Sequence, residues 1–493
     1  MNSFMQDAGL YWRPLGGNNI DQISGHSYQY TCVLHKKDKI KYSTIIVDIG
    51  KFDNHQAFGI KNSIAAVPDI RDIVQNKALN LKAIFITHSH PDHLNGIIHY
   101  IRAGYKLPPI YGGRYTKMIL DDLYKYYQIG KINQPTFIEV EIGQIIKCGD
   151  IEIEVVSASH TCFDSFGYII TGCDTKVYHS GDMKVDSSTF FRKPTSLKRL
   201  KELSNEINFC VGDFYSIDCD GMAWREADVM KTLVKIIKKS RKKKIFIPVY
   251  PTHIEMYMVA FLSALKLKKD VIFYGDTDFY SYLEQIKKYG IDFLKISRGS
   301  IKVTEGVPED INSFSDNFVV IGSYNDIGDR FGASEEDSFA VITARTFFNP
   351  LKGQMNARNI KFVTVGEYPI LQGAGHGFLG DWERILKIVP KAVYIPMHCP
   401  YFVAESFAEL AEFLGFEMIN PLPKNNTLYK FNQNRYSVVS ARPATWLIVN
   451  SDALFTEVWQ KATSGIGFLK RTISKKRTQK KFKMILCQRM KNK

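Results

Sequence analysis

The stretch "IFITHSHPDHLNGI" sets His88, His90, Asp92 and His93 directly after a short apolar run. Imidazole and carboxylate are borderline-to-hard donors, suited to zinc or manganese. Two imidazoles on alternate residues can face one ion, and the aspartate and histidine that follow can face a second. That density of donors after a strand fits a two-metal hydrolytic site. Such a metal pair lowers the pKa of a bound water to about 7 and clamps the oxygens of a phosphodiester.

Other apolar runs end in polar residues of the same kind. "STIIVDIG" carries Asp48, "IEIEVVSASH" ends in His160 and "TKVYHSGD" ends in Asp182. Ligands in layered α/β folds gather at the C-terminal ends of strands, so these residues are further candidates. From about Asn205 the pattern changes. An amphipathic stretch, "ADVMKTLVKIIKKSRKKK", leads into short apolar strands, "IFIPVY", "DVIFYG" and "FAVITA", spaced by helical segments. This is the signature of alternating β and α units. Near Gly373 the first pattern returns with "QGAGHG", "DWERILKIV" and "AVYIPMH". After Val439 the fold signal fades into a strongly basic end.

The chain has 493 residues, enough for several domains, and a formal net charge of +15. That excess favours an anionic partner, nucleic acid first. Eight cysteines are scattered without a C-x-x-C pair, so no disulfide scaffold is expected and a reducing compartment is. The N-terminal residues lack a basic segment followed by an apolar core, so no secretory signal is expected. No window reaches the ~18 uninterrupted apolar residues of a membrane span. The expectation is a soluble, cytoplasmic protein with no membrane partner.

The segment from His88 to His93 resembles the H-x-H-x-D-H signature of the metallo-β-lactamase superfamily, and the order of the other residues is similar. The resemblance implies that Asp48 orients ligands, that His160 is a metal ligand and that Asp182 bridges both metals. That superfamily includes lactamases, glyoxalases, lactonases and nucleases. Three segments resemble its ribonuclease J branch: "HTCFDSFGY", "VGDFYSIDCDGMAWREADV" and "QGAGHGFLGDWERILKIVPKAVYIPMHCPY". The likeness runs from about Trp12 to Leu428.

It implies an α/β fold, a metallo-β-lactamase αββα sandwich with an inserted β-CASP α/β domain. The expected division is 1–205 for the first part of the sandwich, 206–360 for the insert, 361–440 for the return segment and 441–493 for a basic C-terminal tail. In this reading His88, His90 and His160 hold one metal, Asp92, His93 and His398 the other, and Asp182 bridges. The ions are two Zn(2+), with Mn(2+) as the alternative. Asp213, His376 and His398 match the branch's later motifs. His376 would donate a proton near the scissile phosphate, and Asp213 would orient it. A metal-activated hydroxide would then hydrolyse RNA, leaving a 5′-phosphate.

Several segments depart from the branch's pattern. "VYPTHIEMYM" has Thr252, His253 and Met256 where a serine, an asparagine and an arginine are expected. "GSYNDIG" keeps Ser323, "TARTFFNP" keeps Arg345 and "AGHGF" lacks both serines. Ser323 and Arg345 are the candidate nucleic-acid contacts. Lost serine donors weaken phosphate recognition, so hydrolysis is the firmer expectation and the choice between endonuclease and 5′-exonuclease stays open. The branch's long C-terminal domain is not expected here, and the basic tail is a candidate electrostatic handle for RNA. The partner is RNA, single-stranded, with a possible homodimer. The alternatives are a DNA-directed β-CASP nuclease, a hydrolase of small esters or thioesters, and a non-catalytic RNA-binding protein.

Overall fold

The computed structural model describes residues 4–18, 24–36, 39–52, 63–296, 301–306, 316–325, 327, 329–343, 349–442, 445–450, 455–459 and 478–489. An eight-stranded sheet and a seven-stranded sheet lie face to face. The first is built mainly from N-terminal strands, including Gly9–Gly16, Ser27–Lys36, Lys39–Val47 and Leu81–Phe85, with Thr427–Asn432 returning beside the first of them. The second holds Ile151–Ser157, Phe166–Gly172, Thr175–His179, Phe209–Asp213 and Val393–Met397.

Side chains alternate along each strand. Leu10, Trp12, Tyr28, Tyr30 and Val47 meet Val155, Tyr168, Val211 and Ile395 between the sheets. Their neighbours Tyr11, Leu15, Val33 and Ile46 point outward, under Ile97, Ile98 and Tyr100 of helix Gly96–Arg102. On the far side, Ile169, Tyr178 and Tyr394 lie under Leu379, Trp382 and Ile385 of helix Leu379–Ile388. Both faces of both sheets are therefore covered, which is why the strands read as near-continuous apolar runs. The result is a four-layer αββα sandwich.

A six-stranded, all-parallel sheet interrupts it. Its strands include Lys244–Pro248, Asp270–Phe273, Phe318–Gly322 and Ser338–Ile342. Ile245 and Ile247 pack beneath helices Glu226–Ser240 and Ile254–Lys266, while Phe246 packs on the opposite face. The boundaries differ from 206–360 at both ends. Phe209–Asp213 pairs with Thr175–His179 and Val393–Met397 and so belongs to the sandwich. Lys361–Thr364 pairs with Ser338–Ile342 and so belongs to the insert.

The segment 441–493 is also more than a tail. Thr445–Asn450 pairs with Ser63–Pro68 and with Phe455–Trp459 in a three-stranded sheet. Residues 478–489 are helical, and Phe482 and Ile485 enter the core beside Phe407 and Phe416. Lys481 and Arg489 reach Asp218 and Asp220, each at 3.0 Å. Those charges face protein carboxylates, which a charge count along the sequence does not reveal.

Cys32 and Cys173 are joined as a disulfide with their Cα atoms 6.0 Å apart, and the other six cysteines are free. Strand pairing brings together two residues separated by 141 positions, so a search for short cysteine spacings overlooks the pair. Among the described residues no helix is long and apolar enough to cross a membrane.

A buried charge network fastens the insert to the sandwich. Lys184 Nζ donates to Glu255 Oε2 at 3.0 Å, and Arg192 Nη2 donates to the same oxygen at 3.1 Å. Arg192 also pairs with Glu226. Glu255 heads the helix Ile254–Lys266 of the insert, whereas Lys184 sits just beyond Asp182 in the sandwich. Removing one partner from a buried network leaves uncompensated charge. Glu255→Ala is therefore expected to lose about 3–5 kcal/mol of stability, read as a lower urea midpoint of unfolding. An unchanged midpoint would show that the network contributes nothing.

Candidate metal centre

Most functional candidates sit where a strand ends, whereas His376 lies in the loop before the helix Leu379–Ile388. Asp48 follows Lys39–Val47, His88 closely follows Leu81–Phe85, and His160 and Asp182 follow Ile151–Ser157 and Thr175–His179. Asp213 ends its strand and His398 follows Val393–Met397. His90 precedes the short helix Pro91–Leu94, whose turn carries Asp92 and His93. Gly50 allows that loop to close, because a Cβ there would lie 1.6 Å from the Asp92 carbonyl oxygen.

The fold brings these side chains into two adjoining groups. His88, His90 and His160 form one, with ring centroids 4.7–4.8 Å apart. Asp92, His93 and His398 form the other: Asp92 Oδ2 lies 3.9 Å from His93 Nε2 and 3.8 Å from His398 Nε2. Asp182 touches both, with Oδ2 3.7 Å from His88 and His160 Nε2, and Oδ1 3.4 Å from His93 Nε2.

Hydrogen bonds fix which nitrogen of three of the rings faces inward. Asp48 accepts from Thr87 N, Thr87 Oγ1 and His93 Nδ1, each at 2.8 Å. Because Thr87 gives its proton to Asp48, its oxygen accepts from His88 Nδ1 at 3.0 Å. His160 Nδ1 donates to the Gly375 carbonyl at 2.8 Å. The Nε2 lone pairs of His88, His93 and His160 are thereby turned into the site, the arrangement a carboxylate or carbonyl imposes on metal-binding imidazoles. Asp48 adopts a left-handed backbone, φ 60°, a strained state for a non-glycine residue that its three hydrogen bonds hold in place.

Two observations fit this donor set to metal ions. Among the described residues, Nε2 of His88 and of His93 is buried without a hydrogen-bond partner, and an unsatisfied buried polar atom costs about 1–3 kcal/mol. Protonation states of the first group agree, whereas at His93 burial is outweighed by Asp182, Asp48 and Asp92, which raise it. Burial, reinforced by neighbouring imidazoles, holds His88 and His160 well below the usual histidine value. Burial takes His90 down to about 4, outweighing Asp92 and Asp182. Neutral imidazole is the form that binds a metal. Burial would raise Asp182, but His398 and His93 keep it well below the usual carboxylate range. Thr87→Val removes both the hydroxyl donor to Asp48 and the acceptor for His88. It is expected to weaken metal binding about 10–100-fold, measured by competition with a chromophoric chelator. Unchanged affinity would mean that this hydroxyl does not orient the donors.

His376 stands at the rim, 18% exposed, and its Nδ1 donates to Asp213 Oδ2 at 2.7 Å. Asp213 is buried and held by the backbone N–H groups of Met183 and Tyr215, each at 3.1 Å. Burial alone would lower His376, but Asp213, with help from Asp182 and Asp92, carries it up to about 9.

The proposed nucleic-acid contacts are placed differently. Ser323 is buried and its hydroxyl donates to Asp276 Oδ2 at 3.1 Å, which caps the helix Thr277–Tyr289. Its donor is directed into the protein, not to a phosphate. Arg345 lies outside the described residues. Met256 is buried in the core of the insert. The sequence reading overlooked His26, which is fully buried with its ring 4.2 Å from His93 and 4.1 Å from His398. A lone histidine in "SGHSYQY" has no ligand spacing to betray it.

The Beta-lactamase superfamily domain model matches residues 64–205. The chain is 24% identical to Ribonuclease J of Mycobacterium tuberculosis (strain CDC 1551 / Oshkosh) over 47% of its own length, and spans only 40% of that relative. It is 20% identical to Ribonuclease J of Synechocystis sp. over 98% of its length and 76% of the relative. Against Ribonuclease J of Pyrococcus abyssi it is 24% identical over 72% of its length and 81% of the relative. A crystal structure of a protein of unknown function from Enterococcus faecalis V583 superposes with a TM-score of 0.56 at 16% identity, covering 87% of this chain and 100% of that one. With the αββα sandwich and the strand-end donors, the chain carries a Beta-lactamase superfamily domain over residues 64–205 and is similar along most of its length to proteins named Ribonuclease J.

Proposed function

We propose that this protein is a metal-dependent ribonuclease that hydrolyses RNA phosphodiester bonds. The observation that carries the proposal is the pair of donor groups sharing Asp182, with the His376–Asp213 couple beside them. His88, His90 and His160 would hold one ion, Asp92, His93 and His398 the other, and Asp182 both. Zinc suits the imidazole-rich set, with manganese as the alternative. When bound, such a pair supplies hydroxide at neutral pH and neutralises charge on the phosphate.

The chain's own residues do the rest. Asp48 and Thr87 hold the donor rings in one tautomer. Asp213 holds Nδ1 of His376, so the proton on Nε2 is the one offered to substrate. Asp213 favours the imidazolium form of His376, which can protonate the departing 3′ oxygen, leaving a 5′-phosphate. We read the parallel-sheet insert as a β-CASP domain. The net charge of +15 favours a polyanion, relatives named Ribonuclease J favour RNA, and a single strand is the form we propose. A cytoplasmic enzyme, acting as a homodimer, is consistent with these readings.

The test uses one strand sequence made as RNA and as DNA, incubated with the full chain and zinc or manganese. RNA cut and DNA spared supports the proposal. DNA cut in preference to RNA favours the DNA-directed reading. Turnover of a lactone or thioester reporter without nuclease activity would replace both.

A further inference from the structure

We propose that His26 is a further metal-binding side chain of this centre, joining Asp92, His93 and His398 around the second ion. The inference rests on the metal-centre reading and extends it to a residue outside the set that the superfamily resemblance implies.

Three imidazole nitrogens converge on one carboxylate oxygen. Asp92 Oδ2 lies 3.8 Å from His26 Nε2, 3.9 Å from His93 Nε2 and 3.8 Å from His398 Nε2. The possible ligand atoms of His26, His93 and His398 lie within 4.8 Å of one another. The backbone locks the arrangement, because His26 N donates to the Asp92 carbonyl at 2.7 Å and Gly50 N donates to the His26 carbonyl at 2.9 Å. His26 therefore cannot move independently of the loop that carries Asp92 and His93.

The tautomer of His26 is set as deliberately as that of His88. Tyr28 gives its hydroxyl proton to Asn18 Oδ1 at 3.3 Å, and its oxygen faces His26 Nδ1 at 2.9 Å. Nδ1 is then the protonated nitrogen and Nε2 carries the lone pair. Gly17 makes room for this relay, since a Cβ there would stand 2.3 Å from His26 Nδ1 and 2.6 Å from the Tyr28 hydroxyl. His26 Nε2 is buried at 0% exposure and, among the described residues, has no hydrogen-bond partner. A purely structural histidine in so polar a site would have that nitrogen satisfied. A cation held by Asp92 satisfies it.

A third imidazole makes the second site richer in nitrogen than a carboxylate-dominated one. Nitrogen donors favour zinc over manganese, so His26 also sets metal choice. The test is made on the full chain, stripped with a chelator and titrated with zinc and, separately, with manganese. Metal per chain is measured by mass spectrometry and affinity by competition with a chromophoric chelator. In His26→Ala, one of the two zinc ions is expected to bind at least about 10-fold more weakly, the other is unchanged, and the preference for zinc over manganese narrows. The absorption bands of the cobalt-loaded protein should change with it. Tyr28→Phe, which keeps the ring and removes the relay, should weaken the same ion by a smaller factor and guards against a folding defect in the first variant. Two zinc ions in the wild type, with both affinities and the cobalt spectrum unaltered in either variant, would overturn the proposal and leave the metal-centre reading standing. No bound zinc or manganese in the wild type would overturn both.

Discussion

Asp182→Ala is expected to reduce RNA cleavage by about 10³-fold or more and to lower the metal content of the protein. Asp182 approaches donors of both groups, at 3.7 Å from His88 and His160 and 3.4 Å from His93. Among the described residues no other carboxylate approaches both groups. A metal pair contributes several kcal/mol of charge stabilisation in such reactions, and each 1.4 kcal/mol is tenfold in rate. Removing the shared carboxylate also strips His93 and His398 of a negatively charged neighbour, so at least one ion should be lost. Metal analysis of the purified variant beside a cleavage assay checks both parts. Retained metal with full activity would show that Asp182 is dispensable.

The second large effect concerns proton delivery. His376→Ala is expected to lose about 10²–10⁴-fold in kcat, the usual worth of a positioned general acid, while metal content stays that of the wild type. Asp213→Asn should lose less and shift the pH profile. The active form of His376 is protonated, so activity falls as pH rises through its pKa. Asp213 holds that pKa up, against burial, to about 9. Without the carboxylate the pKa drops, and the alkaline limb of the kcat profile moves to lower pH. Bound cations lower the value in both proteins, so the diagnostic quantity is the shift between them. An alkaline limb that stays in place in Asp213→Asn would mean that another group delivers the proton.

Residues close in sequence were the most legible. His88 to His93 share one turn after one strand, and no folding is needed to see that they meet. His160 and Asp182 were found through their order at strand ends, and His398 through the family resemblance; Ile151–Ser157, Thr175–His179 and Val393–Met397 all run in one direction, which brings those ends to one edge of the sheet. His26 has no such cue. Its partners arrive from the loops bearing His93 and His398, and only the closed sandwich makes them neighbours. The Cys32–Cys173 pair was hidden for the same reason.

Charge was a poorer guide than apolar spacing at the C-terminal end. The lysines and arginines there suggested a free basic tail. Phe482 and Ile485, three apart on one face of a helix, nonetheless bury themselves against Phe407 and Phe416. The domain boundary was misplaced because Phe209–Asp213 and the insert's own strands are all short apolar runs. Composition does not say which sheet a strand joins. Ser323 looked available to a phosphate, but its hydroxyl is committed to capping through Asp276.

These donors are proposed as the catalytic centre of a ribonuclease. The most direct measurement is cleavage of a 5′-monophosphorylated single-stranded RNA by the purified full chain with zinc or manganese, beside His90→Ala. His90 belongs to the first donor group, and its ring is 4.8 Å from that of His160. The expected result is cutting that needs added metal, yields 5′-phosphate ends and disappears in His90→Ala. RNA left intact with either metal, or cut equally by the variant, would contradict it.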